Sequence, residues 1–194
     1  MTKVTRDSIK NYYVEAIKYL DEAKKFVYIA IFIFFLGVFT GLTFPEHFKS
    51  LLDSFKTFAE HFKGRSTPVL ILMIFLQNSL SALIAIWLGT LLGIIPLFGA
   101  ITNGLLIGVV LSVGNKIDLT QVIWTLIPHG VFELPAIFLS WGLGIWRGLW
   151  VFRKNKDETY RERAKKAYHL FFAFILPLLI IAAIIEGLNI STVI

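Results

Sequence analysis

His129 and Glu133 lie four residues apart in Pro128-His129-Gly130-Val131-Phe132-Glu133-Leu134-Pro135, an imidazole and a carboxylate framed by two prolines within apolar sequence. On a helix that spacing puts both side chains on one face, a turn apart, where the carboxylate can orient the ring or share a cation with it. A second carboxylate, Glu186, sits in the last apolar run, and Asn78 and Asn103 sit in two earlier ones. An acidic side chain alone at mid-bilayer costs about 2.5 to 3.5 kcal/mol on insertion scales, so polar groups in such runs are expected to meet. We therefore expect His129, Glu133 and Glu186 to form one cluster, with Asn78 and Asn103 as its polar partners. Such a cluster can bind a divalent cation, relay a proton, or close a hydrogen-bond network that fixes helix register. The residues leave these three open, and they leave any cofactor other than a divalent cation unidentified.

Other chemistries find little footing. The chain has no cysteine, so disulfides, thiolate metal sites and cysteine nucleophiles are excluded. No His-Glu-x-x-His is present, Asn78-Ser79-Leu80-Ser81 lacks the flanking glycines of a nucleophilic serine, and no phosphate-binding loop with its lysine occurs. The net charge of +6 could suggest nucleic acid, but the basic residues occupy short flanks between apolar runs, where membrane topology explains them better.

The elements that must hold the polar residues are membrane helices. Of 194 residues 56% are hydrophobic and 16% charged, the mean hydropathy is +0.72, and several apolar runs reach span length. This predicts an all-α membrane protein, a polytopic bundle of about five spans near residues 26–44, 69–94, 99–113, 119–147 and 167–188. Residues 1–25 read as an amphipathic cytoplasmic helix, with Ile9, Tyr13, Ala16, Ile17 and Leu20 on one side, preceding a single transmembrane domain of residues 26–194. Residues 45–63 are half polar and too short to cross. Pro45 suits their start, Gly64 suits their end, and the phenylalanine-rich stripe predicts an interfacial helix.

Within the spans, Gln77, Asn78, Ser79 and Ser81 must face protein, a cavity or water rather than lipid. Gly37 with Gly41, Gly89 with Gly93, Gly104 with Gly108 and Gly144 with Gly148 have the spacing that lets helix backbones approach. These pairs suit packing within the chain, and their number also suggests a homodimer. Ile95 to Phe98, with Pro96, reads as a tight turn between the second and third spans.

The fourth segment is expected to break. Pro128 and Pro135 lack the amide hydrogens that would bond the carbonyls of Trp124 and Val131, and Gly130 lies between them. Depth gives a second reason. Glu133 is fourteen residues beyond Leu119, about 21 Å along an ideal helix, whereas Glu186 lies near the outer end of the last span. An unbroken helix from Leu119 would then separate the two carboxylates, and a break at Pro128, with residues 119–127 oblique or re-entrant, would bring them level. Orientation follows from the basic residues: with the N-terminus in the cytoplasm, fourteen of the nineteen lysines and arginines fall inside and five outside.

The Pro128-His129-Gly130 and Glu133-Leu134-Pro135-Ala136 block, with Asn78, Asn103-Gly104 and Ile184-Ile185-Glu186, resembles the stage II sporulation protein M family of integral membrane proteins over about residues 69–186. The resemblance implies a polytopic membrane protein that, in spore formers, works with partner proteins and cell-wall hydrolase machinery during membrane migration. The leading expectation is a membrane scaffold or assembly subunit of the cell membrane, in contact with lipid and with a membrane or cell-envelope protein partner. Its polar centre is structural or binds a cation. An ion or small-solute carrier acting as a dimer is the alternative, because a proline-broken helix with mid-depth polar groups is how several transporters build a site. An intramembrane hydrolase is the third reading.

Overall fold

The computed structural model describes residues 6–62, 64–113, 119–152 and 158–193; within these, the side chains of 58–59, 113, 119–129 and 191–193 are not described. Among the described residues there are helices and turns and no strand. Five helices among these residues are long and apolar enough to cross a membrane.

The first, α1 (Arg6–Thr43), joins the amphipathic leader and the first span in one helix of 38 residues. Its buried residues explain the continuity. Ala16, Ala23, Ala30 and Gly37 recur every seven residues, and Phe34 and Gly41 add a parallel row, so one narrow face serves both halves. The leader half is held by charged and aromatic contacts: Lys166 Nζ lies 2.7 Å from Glu22, and the Tyr12 ring stacks on His169 at 4.0 Å.

After a 3-10 turn at Pro45–Phe48, the amphipathic α2 (Lys49–Ala59) has Leu51 and Leu52 half-buried and Phe55 exposed. Gly64 follows with φ of 71°, the left-handed conformation that suits a glycine beyond a helix end.

The second and third spans, α3 (Thr67–Leu88) and α4 (Ile94–Val113), are joined at residues 89–93. The turn therefore falls earlier than the expected Ile95 to Phe98. Pro96 sits in the first turn of α4, where a missing amide hydrogen has no intrahelical partner to lose, so it starts the helix rather than interrupting it. The reversal is made instead by Leu92 and Gly93, with φ of 56° and 73°.

The fourth span, α5 (Leu119–Gly148), is one helix, which corrects the expected break at Pro128, Gly130 and Pro135. Each proline removes a single amide hydrogen, and membrane helices keep their course where neighbouring packing and local adjustment compensate. A capping box starts α6 (Tyr160–Leu170): the Thr159 amide donates to Glu162 Oε2 at 2.6 Å, and the Glu162 amide donates to the Thr159 hydroxyl at 3.2 Å. A π turn at Phe171–Ile175 then leads into α7 (Leu176–Val193). Pro177 explains the turn, since its ring would press on the Ala173 carbonyl of a regular helix and the wider turn makes room.

The glycine pairs fix how the spans lie. On α1 and α4, Gly37 meets Ile101 and Gly104, and Gly41 meets Leu105 and Gly108, so the two helices run parallel in contact along their backbones. Gly144 faces Ala85 and Gly148 faces Gly89, which makes α3 and α5 a second parallel pair. Gly142 abuts Val27 of α1, and Gly187 of α7 abuts Ile71 of α3. All four sequence pairs are thus engaged within the chain, and they offer no free seam for a dimer.

Candidate functional site

Three elements bring the polar residues together. Ala85 faces Gly144 and Gly89 faces Gly148, the same offset of 59 residues. Extended along the two parallel helices, this register sets Glu133 beside Ile74, one turn from Asn78. The Asn78 side chain hydrogen-bonds the Glu133 carboxylate. On the third side, Gly187 lets α7 close on Ile71, and Glu186 comes near enough to Glu133 for their carboxyls to interact electrostatically. All three residues are half-buried.

Glu133 and Glu186 meet although α5 is unbroken. The expected separation in depth assumes that α5 enters the bundle at Leu119. The register shows otherwise: with an offset of 59, the start of α3 at Thr67 is level with residue 126, so Glu133 lies two turns below that level rather than four. The antiparallel α7 then carries Glu186 to the same end.

The remaining predicted residues stand elsewhere or beyond description. Asn103 is exposed on α4 and donates to the carbonyl of Gly99 in its own helix at 2.8 Å, so it is not part of the centre. The neighbouring glycines explain this, because α4 turns its small face toward α1. The side chains of His129 and Pro128 lie outside the described residues. Gly130 is not needed for close packing, since a Cβ there would meet only Leu134 Cδ1 at 4.0 Å. Pro135 is exposed. Among the described residues no group of three histidine, aspartate or glutamate side chains is placed to hold a metal ion. The expected inward orientation of the polar run on α3 holds for Asn78 and Ser79 but fails for Gln77 and Ser81, which are exposed.

A second polar cluster lies at the opposite end of the bundle. Arg147 and Arg163 are 3% and 4% exposed, the most deeply buried charges among the described residues. Arg147 donates to the carbonyl of Ile86 at 2.5 Å and to the Tyr160 hydroxyl at 2.8 Å, so it caps the C-terminal end of α3. Arg163 donates to the carbonyl of Trp146 at 2.6 Å and to Glu158 at 3.0 Å, with its guanidinium 4.7 Å from the centroid of the Trp146 ring. Lys166 bridges Glu158 and Glu22. In sequence these residues read only as loop charges. The signal that points to them is the Thr159-x-x-Glu162 box, which starts a helix early enough to turn Arg163 inward.

Glu133→Gln and Glu186→Gln should not be additive. Each alone removes one side of the carboxyl pair, so the stability of the double variant in detergent should depart from the sum of the single effects by about 0.5 to 3 kcal/mol. Agreement with the sum within about 0.5 kcal/mol in thermal unfolding would mean that the carboxyls are independent.

A family model for stage II sporulation protein M matches residues 30–189, which takes in Asn78, Glu133 and Glu186 and leaves the leader of α1 outside. No curated protein and no solved structure matches the chain. The match covers most of a bundle with five helices able to span a membrane, and the chain belongs to the stage II sporulation protein M family.

Proposed function

We propose that the chain is an integral membrane scaffold or assembly subunit of the cell membrane that presents a rigid bundle to a cell-envelope protein partner. In this reading the N-terminus and residues 147–166 are cytoplasmic, and Asn78, Glu133 and Glu186 fasten α3, α5 and α7 by sharing a proton or a cation. The observation that carries the reading is the backbone contact that ties every span to another, at Gly37, Gly41, Gly104, Gly108, Gly142, Gly144, Gly148 and Gly187. Packed interfaces of this kind resist sliding, whereas a carrier must rock one part of its bundle against another. The carrier reading draws its support from the carboxyl pair at membrane depth. Reconstitution separates the two. Vesicles containing the purified protein should take up sodium, potassium, calcium or protons no faster than protein-free vesicles. Uptake that saturates with concentration and disappears in Glu133→Gln would replace the scaffold with a carrier.

A further inference from the structure

Polar side chains in the spans usually find a partner on their own helix. Thr40 donates to Leu36, Thr43 to Phe39, Asn103 to Gly99, Ser112 to Val109 and Ser140 to Ala136, each to a backbone carbonyl. Thr102 does the same toward Phe98. Gln77 and Ser81 differ. They are exposed one turn apart on α3, and among the described residues neither has a hydrogen bond. Gln77 is the eleventh of the 22 residues of α3, far from either end. Its amide carries donors and an acceptor, and hydrocarbon satisfies neither.

We propose that Gln77 and Ser81 mark a homodimer face, on which α3 packs against α3 of a second copy. Two copies inserted the same way carry Gln77 at the same depth, and a two-fold axis along the membrane normal sets the α3 helices side by side and parallel. The amide of each Gln77 can then donate to the oxygen of the other, so a second copy of this chain completes the site without any additional group. Ser81 is small enough to let the helices approach one turn further on. The glycine seams are engaged within the chain, so this face rests on its own observation, and it does not depend on the scaffold reading.

The absence of native cysteine makes the test direct. Single-cysteine variants Gln77→Cys and Ser81→Cys, oxidised in native membranes, should give disulfide-linked dimers. Leu36→Cys on α1 and Ile181→Cys on α7, at exposed positions on other helices, should remain mostly monomeric. In mild detergent, Gln77→Leu should weaken dimerisation by roughly 3- to 30-fold, the effect of losing about 0.6 to 2 kcal/mol of interhelical hydrogen bonding. Its melting temperature as a monomer should be unchanged. Equal cross-linking at all four positions would indicate random collision and overturn the proposal. A monomeric wild-type protein would also overturn it, as would a dimer that Gln77→Leu leaves intact.

Discussion

Gly104→Leu should melt well below the wild type. A Cβ on Gly104 would press into the Phe34 carbonyl, and the same close approach recurs at Gly37, Gly41 and Gly108, so α1 cannot retreat at one level without opening the others. Overpacking costs about 1 to 3 kcal/mol where side chains can adjust, and here the obstruction is backbone, which puts the cost at the upper end or beyond. For a chain of this size each kcal/mol lowers the melting temperature by about 2 to 4 °C, so thermal unfolding in detergent should fall by roughly 10 °C. Gly130→Ala is the matched control. It meets only a distant side-chain atom and gains helix propensity, so it should melt at or slightly above the wild-type temperature. A Gly104→Leu variant as stable as Gly130→Ala would mean that α1 and α4 are not in backbone contact.

The second large effect is expected at Arg163. Replacing it with alanine removes the donor to the Trp146 carbonyl and takes the guanidinium away from Glu158, whose side chain is only 12% exposed. Breaking one partner of a buried ion pair costs about 3 to 5 kcal/mol where the remaining charge is left alone; here Lys166 stays 2.8 Å from Glu158, so the loss should fall toward the lower end of that range. Arg163→Lys should recover only part of this loss, since a lysine restores charge but not the planar fork that reaches Trp146 and Glu158 together. Combining Arg163→Ala with Glu158→Gln should not recover it, because the second substitution also takes the carboxylate away from Lys166. Thermal unfolding of the wild type and these three variants tests the ordering. A loss below about 1 kcal/mol for Arg163→Ala would place this contact with ordinary surface pairs.

Hydropathy makes the membrane helices legible because lipid requires long apolar runs with every backbone group bonded internally. It could not place the turn between α3 and α4. Residues 89–93 carry no charge and a single polar side chain, Thr90, and Pro96, the obvious punctuation, begins a helix. The glycine spacings were readable, but their partners were not, since spacing says that a face can be approached and not by which helix. The same limit governed the polar centre. Glu133 and Glu186 could be named from their cost in lipid, while their common level depended on the register of α3 with α5, which Gly89, Gly144 and Gly148 set. Arg147 and Arg163 escaped because charges beside a loop look solvated. Their burial follows from α6 packing beside the end of α5, where Arg163 reaches the Trp146 carbonyl and Tyr160 meets Arg147, which itself reaches the end of α3.

The pairing of α1 with α4 also constrains how the protein is made. Seventy residues separate Thr43 from Val113, and ribosomes add about 5 to 20 residues each second, so the glycine face of α1 emerges roughly 4 to 14 seconds before its partner is complete. The α3–α5 pair has the same character, with α4 synthesised in between. Neither seam can close as a hairpin of neighbouring helices. Nascent α1 must therefore wait in the membrane with its narrow face uncovered, and the insertion machinery is the natural place for it to wait. A chain stalled before Ile94 would hold that face open indefinitely.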